Sequence, residues 1–247
     1  MRRETPHLPA PSLRTALRGI RQRAHYTELL DQPYTDPRTL AANLRDLRLL
    51  NRSLGWTAGV WEEVRLLLPR GAWEATLLDV ATGSADLPRA LRQRAAARGI
   101  WLHVIGTDVG GQVLVEAARH GADLALVRHD ATRLPFADGA VDVATLCLAA
   151  HHLDPPALQA TLRELWRVCR RGVVVSDLER GAPAYLGARL MALALRNRLT
   201  AHDGPVSVLR AYTAPELHAL ARRAGLEAIS LRRRFPFRLT LVAVKPA

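Results

Sequence analysis

The stretch Leu77-Leu78-Asp79-Val80-Ala81-Thr82-Gly83-Ser84-Ala85-Asp86-Leu87-Pro88 decides how the rest of the chain is read. Its first residues close a short apolar run, Thr76–Val80, of strand composition, and a turn of small residues follows. Asp86 then opens an amphipathic helical stretch over Leu87–Arg98. In an open parallel sheet the ligand crevice lies beyond the carboxyl ends of the strands, near the point where strand order reverses. Small residues in the first such turn let backbone N–H groups approach a ligand closely. Ala81 and Ala85 stand where a richer loop would carry glycine, so alone the stretch fits a tight strand-to-helix turn equally well.

Downstream, short apolar runs alternate with helical patterns. The runs are Trp101–Thr107, Leu124–Arg128, Val141–Leu148, Val173–Ser176, Leu226–Leu231 and Leu239–Val244, with helical stretches at Val113–His120 and Pro156–Cys169. Alternating strands and helices build βαβ units, hence an α/β fold: a Rossmann-like, mostly parallel seven-stranded sheet with helices on both faces. Arg232–Arg238 leaves no room for a helix between the last two runs, which predicts a C-terminal antiparallel hairpin.

The strand ends carry chemistry in a fixed order. Asp108 closes the second strand, where a carboxylate can accept from both hydroxyls of a ribose. Asp130 follows the third strand, placed to accept from an adenine amino group while the N–H of Ala131 serves a ring nitrogen. The fourth strand delivers Leu148, Ala149, Ala150, His151 and His152 to the crevice rim. Each carboxylate singly reads as a cap or solvated loop residue; the ordered set points to a nucleoside ligand.

Upstream, Leu40, Leu44, Leu47, Leu50 and Leu54 recur at helical spacing, and a second helix runs Trp56–Leu68 before Pro69. The predicted organisation is a disordered tail over 1–12, an N-terminal helical lid over 13–69 and a catalytic domain over 70–247. The 247 residues are 49% apolar and 23% charged, which excludes disorder, and carry a net charge of +12. Nearly all the excess sits at the ends. Residues 1–52 hold ten arginines against five acids, residues 218–247 seven cations against one acid, and the motif-bearing middle is nearly balanced. Cys147 and Cys169 lie in apolar runs without zinc-ligand spacing, so both read as buried thiols, and no metal site is expected. The longest apolar candidate for a membrane span, Ala184–Leu195, is broken by Arg189, and a cytoplasmic protein is the default.

LLDVATGSADLP, VIGTDVGG, HDATRLPFADGAVDVATLCLAAHHL and LRELWRVCRRGVVVSDLER together resemble the successive motifs of class I S-adenosylmethionine-dependent methyltransferases. The tone is nearest to that of the ubiquinone/menaquinone-biosynthesis methyltransferases. The resemblance implies S-adenosyl-L-methionine as cofactor, held by Asp79, Ala81, Gly83, Asp108, Asp130, Ala131 and the backbone at Leu148. The flanks, Arg23–Asp31, Leu44–Gly55, Ser176–Arg180 and Thr200–Ser207, resemble bacterial methyltransferases of polyketide-type phenolic products. They imply a small phenolic or quinol-like acceptor, methylated on oxygen or carbon.

Methyl transfer from a sulfonium is an in-line displacement, and a phenol near pKa 10 gains from a general base, most naturally histidine. His202, His152 and His151 are the candidates. His202 is read in a Gly/Pro loop following a helix over Pro183–Leu199, oriented by Asp203 or Asp177. Tyr26, Asn51, Trp56 and Arg210 are candidate acceptor-binding residues. The competing classes are a nucleic-acid methyltransferase, favoured by the basic ends, and a non-catalytic partner subunit. Aromatics at 5% and Asp154-Pro-Pro-Ala in place of an aromatic-bearing motif argue against nucleic acid. A homodimer is compatible with the sequence, and the arginines at 222, 223, 232–234 and 238 read as a solvated cluster or a contact for anionic membrane.

Overall fold

The computed structural model describes residues 12–29, 36–53, 55–119, 124–194 and 198–246. The tail expected over 1–12 lies outside them except for Ser12, and so do Leu54, His120 and Leu195.

Seven strands form one sheet: β1 (Glu74–Val80), β2 (Trp101–Asp108), β3 (Ala125–Arg128), β4 (Val141–Cys147), β5 (Cys169–Leu178), β6 (Ile229–Arg234) and β7 (Arg238–Val244). Their order is β3-β2-β1-β4-β5-β7-β6. The first five are parallel, and β7 runs antiparallel to both β5 and β6. Strand order reverses between β1 and β4, which opens the crevice beyond their carboxyl ends. The hairpin is where the sequence places it. Its first strand is displaced from Leu226–Leu231 to Ile229–Arg234, because three arginines extend the ladder and Phe235-Pro236-Phe237 makes the turn.

Period-two alternation assigns each strand residue to one of two cores. Leu78 and Val80 of β1, Val173 and Val175 of β5 and Leu239 and Leu241 of β7 face one side. There they meet Leu158, Leu162 and Leu165 of α6 (Pro155–Val168) and Leu217 and Leu220 of α9 (Ala214–Arg223). Leu77, Val174 and Val242 face the other side, against α3 (Trp56–Leu67) and α4 (Asp86–Ala96). Trp61 of α3 is fully buried in that second core. The second N-terminal helix is thus a layer of the sheet, since Val60, Trp61, Val64 and Leu67 have no other apolar surface to cover. Covering the crevice falls to α2 (Pro37–Ser53), whose Leu40, Leu44 and Leu47 line it.

A third cluster joins α1 (Leu13–Gly19), α7 (Ala182–Ala194) and α8 (Arg198–Arg210) through Ala16, Ala184, Tyr185, Val208 and Leu209. The helix expected over Pro183–Leu199 ends at Ala194, and the loop expected around His202 is helical. Gly204 and Pro205 sit inside α8, where burial of Val206, Val208 and Leu209 outweighs the amide bond missing at Pro205. The remaining helix of the parallel region, α5 (Gly111–Arg119), flanks β2 and β3.

Candidate active site

The crevice opens into a cavity of about 1060 Å³ that runs from the β1 loop to α7 and α8. At one end the chain makes three left-handed residues in alternation, Ala81 (φ 54°), Gly83 (φ 56°) and Ala85 (φ 55°). This is why the loop pattern favours glycine there: alanine adopts that conformation at a steric penalty. Ala85 does not crowd the crevice, because its methyl is fully buried in the α3/α4 core. The turn is fixed by Thr82 N–H donating to the Thr107 carbonyl (2.9 Å) and Ala85 N–H to the Thr82 carbonyl (2.9 Å).

Asp79 forms the floor. Its carboxylate accepts from Thr145 Oγ1 (2.6 Å) and Thr82 Oγ1 (2.7 Å). Burial pushes its pKa up to about 6 against those two hydroxyls, and Asp86 and Asp108 add to the rise. Asp108 accepts from Gly83 N–H (3.0 Å) and Gly110 N–H (2.9 Å), which ties the first loop to the end of β2 and leaves each oxygen a further lone pair. Asp130 takes both bonds from Thr132, backbone N–H and hydroxyl (2.8 Å each), on one oxygen, and these hold its pKa below the usual range. Asp79, Ala81, Gly83, Asp108, Asp130, Ala131 and Leu148 all line the cavity. Leu148 is also left-handed (φ 54°), turning the chain off β4 toward the histidines.

The far end is built on a 3-10 turn, Ala150–His152. Buried His151 donates from Nδ1 to Asp177 Oδ1 (2.7 Å), and its backbone N–H donates to Asp177 Oδ2 (2.9 Å). Burial works to raise the Asp177 carboxyl, but the neighbouring His151 and its hydrogen bond hold it low, so Asp177 engages the ring at Nδ1 and Nε2 is the nitrogen turned toward Glu28. Glu28, 2% exposed, reaches this pair from the N-terminal segment, with Oε1 3.8 Å from His151 Nε2 and Oε2 3.7 Å from His152 Nε2. Among the described residues Glu28, His151 and His152 are near enough to share a metal ion. The Arg210 guanidinium, 3.3 Å from Glu28 Oε1, already supplies a cation there. Neither Glu28 nor the Asp177–His151 pairing is legible from spacing, because each joins segments more than twenty residues apart.

The other sequence-predicted residues scatter. Asn51 lines the cavity and donates to Asp86 Oδ2 (3.3 Å), and Trp56 lines it with the Arg238 guanidinium 3.2 Å from its ring centre. Tyr26 packs instead in the α1/α7/α8 cluster. Arg210 lies behind the lining, donating to the His152 carbonyl (3.0 Å). His202 also lies outside the lining, with Nδ1 2.8 Å from Asp203 Oδ1, and it is Asp203 that borders the cavity. Cys169 is buried, with its thiol pKa pushed up to about 11 by burial; Cys147 is partly exposed and lines the cavity.

Residues 77–172 match the family model described as a methyltransferase domain. Over 129 residues the chain is 32% identical to a demethylmenaquinone methyltransferase of Thermus thermophilus, covering 50% of this chain and 56% of that protein. It is 30% identical over 102 residues to a ubiquinone/menaquinone biosynthesis C-methyltransferase of Rickettsia typhi, covering 39% and 40%. The match thus spans about half or less of these relatives. Among solved structures, an S-adenosylmethionine-dependent methyltransferase from Aquifex aeolicus aligns with a TM-score of 0.59 at 18% identity, over 85% of this chain and 99% of that one. Human N-acetylserotonin methyltransferase, crystallised with S-adenosylmethionine, aligns with a TM-score of 0.66 at 15% identity, over 95% and 66%. Residues 77–172 are thus similar to a methyltransferase domain, and the chain shares the fold of these S-adenosylmethionine-dependent methyltransferase structures.

Proposed function

We propose that the protein methylates a small phenolic or quinol-like acceptor with S-adenosylmethionine as donor. The observation that carries this reading is the two-ended cavity, with carboxylates at the strand switch point and a carboxylate-oriented histidine at the other end. The residues at the first end fit the donor. Asp108 retains acceptor capacity for ribose hydroxyls, Asp130 has an oxygen without a Thr132 bond, and the cluster Asp79, Asp86 and Asp108 suits a cationic ligand. S-adenosylmethionine supplies the electrophilic methyl.

The chain's own part is to hold, dry and deprotonate. Leu40, Leu44 and Leu47 of α2 and Ala184 and Ala188 of α7 give the acceptor an apolar channel. His151 takes the acceptor proton on Nε2, and Asp177 keeps the ring in the required tautomer and stabilises the imidazolium that results. His152 and Glu28 border the same point, and the base is assigned to His151 in preference to His202, which does not reach the cavity lining. The protein is proposed to act without nucleic acid.

A labelled-methyl assay against phenols, quinols and alkylresorcinols tests the reading. Wild type is expected to label at least one class, and His151→Ala to lose that turnover at least a hundredfold with cofactor affinity unchanged. Labelling of RNA or DNA alone overturns it, and full turnover in His151→Ala removes the base assignment.

A further inference from the structure

Arg238 opens β7 at the wall of the cavity, beside Cys147 and Ser176, and is only 3% exposed. Its Nε and Nη2 have no hydrogen-bond partner. Those two atoms form one edge of the guanidinium, the planar fork that matches a carboxylate bidentately. The carboxylate that acts most on it is Asp177, which spends both oxygens on His151, and the face of the guanidinium is stacked on Trp56. A buried guanidinium keeps its charge, so a fork closed to water and left without an acceptor is a high-energy arrangement that a ligand anion relieves. Trp56 lines the same cavity and offers an aromatic face beside the fork.

We propose that Arg238, with Trp56 beside it, forms a subsite for an anionic group on an aromatic ligand, a ring carboxylate in the first place. The subsite stands on the cavity itself and uses the proposed methyl transfer only in taking that ligand for the acceptor. The acceptor class is thereby narrowed from phenols in general to aromatic acids, with the acid on Arg238 and the ring against Trp56. Because the fork is already dry, pairing forfeits little hydration on the protein side, and a neutral ligand of the same shape gains nothing there.

Calorimetric titration of the full chain with benzoate and with benzamide, its uncharged counterpart, tests this. Benzoate is expected to bind at least tenfold more tightly, and the preference to vanish in Arg238→Met and to fall sharply in Arg238→Lys, which keeps charge without the fork. Equal affinity of the two probes for wild type overturns the subsite whether or not any variant folds. A benzoate preference that survives in a folded Arg238→Met assigns the anion elsewhere and overturns it too. S-adenosylmethionine titrated into the same samples separates the two ideas: without cofactor binding the methyltransferase reading falls, while a benzoate preference lost in Arg238→Met still supports the subsite.

Discussion

Asp79 carries a pH signature that can be read apart from activity. Its carboxyl rises from an ordinary 3.8 to about 6 on folding, chiefly through burial. The folded chain therefore holds a proton that the unfolded chain releases between those values, and stability falls as pH rises through the window. A shift of that size corresponds to about 3 kcal/mol at most. Urea unfolding of wild type and Asp79→Asn at pH 4 and pH 7 is expected to show the variant gaining on wild type by about 2–3 kcal/mol at the higher pH. A constant difference between the two proteins would place the Asp79 carboxyl in water. At the same scale the sequence shows its strengths and its gaps. Asp79, Asp108 and Asp130 are legible because each lies at or just past the carboxyl end of a strand, and a strand end fixes where a side chain goes. Glu28 is not, and Asp177 reads only as a possible partner of His202, since the sequence cannot show that a residue in the N-terminal segment and one on β5 converge on the His151 imidazole.

The element scale is where local rules meet tertiary override. Asp154 caps α6 by accepting from Ala157 N–H (2.8 Å), with Pro155 following as the proline pattern predicts. Asp154→Ala is expected to lower stability by about 1 kcal/mol in denaturant titration. The β1 loop places alanine in the left-handed region, so Ala81→Gly removes a penalty of about 1–2 kcal/mol and adds back roughly half of it as backbone entropy. A net gain of up to about 1 kcal/mol is expected in the same measurement, and a loss would show that the Ala81 methyl matters more as packing. Strands and their helices are legible here because two-residue and 3.6-residue periods are strong and the connections short. The passage through Gly204-Pro205 is not, because its breakers argue for a loop and only the apolar cluster with α1 and α7 keeps it helical.

Across the whole molecule, part of the basic excess that the composition concentrates at the two ends is used to tie elements together. Arg23 donates to the carbonyls of Arg210 (2.7 Å), His151 (2.8 Å) and Leu153 (2.8 Å), and its guanidinium lies 4.6 Å from the Tyr212 ring centre. From the balanced middle of the chain, buried Arg180 joins it to the N-terminal segment, donating to the carbonyls of Ile20, Arg21 and Ala211 and to Glu216. At the other end Arg232 and Arg234 pair with Glu63, Arg233 pairs with Glu179 and Arg238 turns inward, so the arginines grouped by the sequence do not act as one solvated cluster. Arg222 and Arg223 remain exposed. No helix among the described residues is long and apolar enough to cross a membrane. Arg23→Ala takes its guanidinium from the carbonyls of Arg210, His151 and Leu153, of which Leu153 keeps the Tyr212 hydroxyl, and is expected to destabilise the chain by about 2–3 kcal/mol. It should also depress methyl transfer more than cofactor affinity, because Arg23 braces the histidine turn and not the β1 loop; equal losses in both would break that separation.

Titration calorimetry with S-adenosylmethionine decides most directly whether this cavity belongs to a working methyltransferase. Wild type is expected to bind at one site, and Asp108→Ala, which removes the acceptor shared by Gly83 and Gly110, to weaken binding at least tenfold. Absence of heat with folded wild type, or binding indifferent to Asp108→Ala, would contradict the assignment of the cofactor to this end of the cavity.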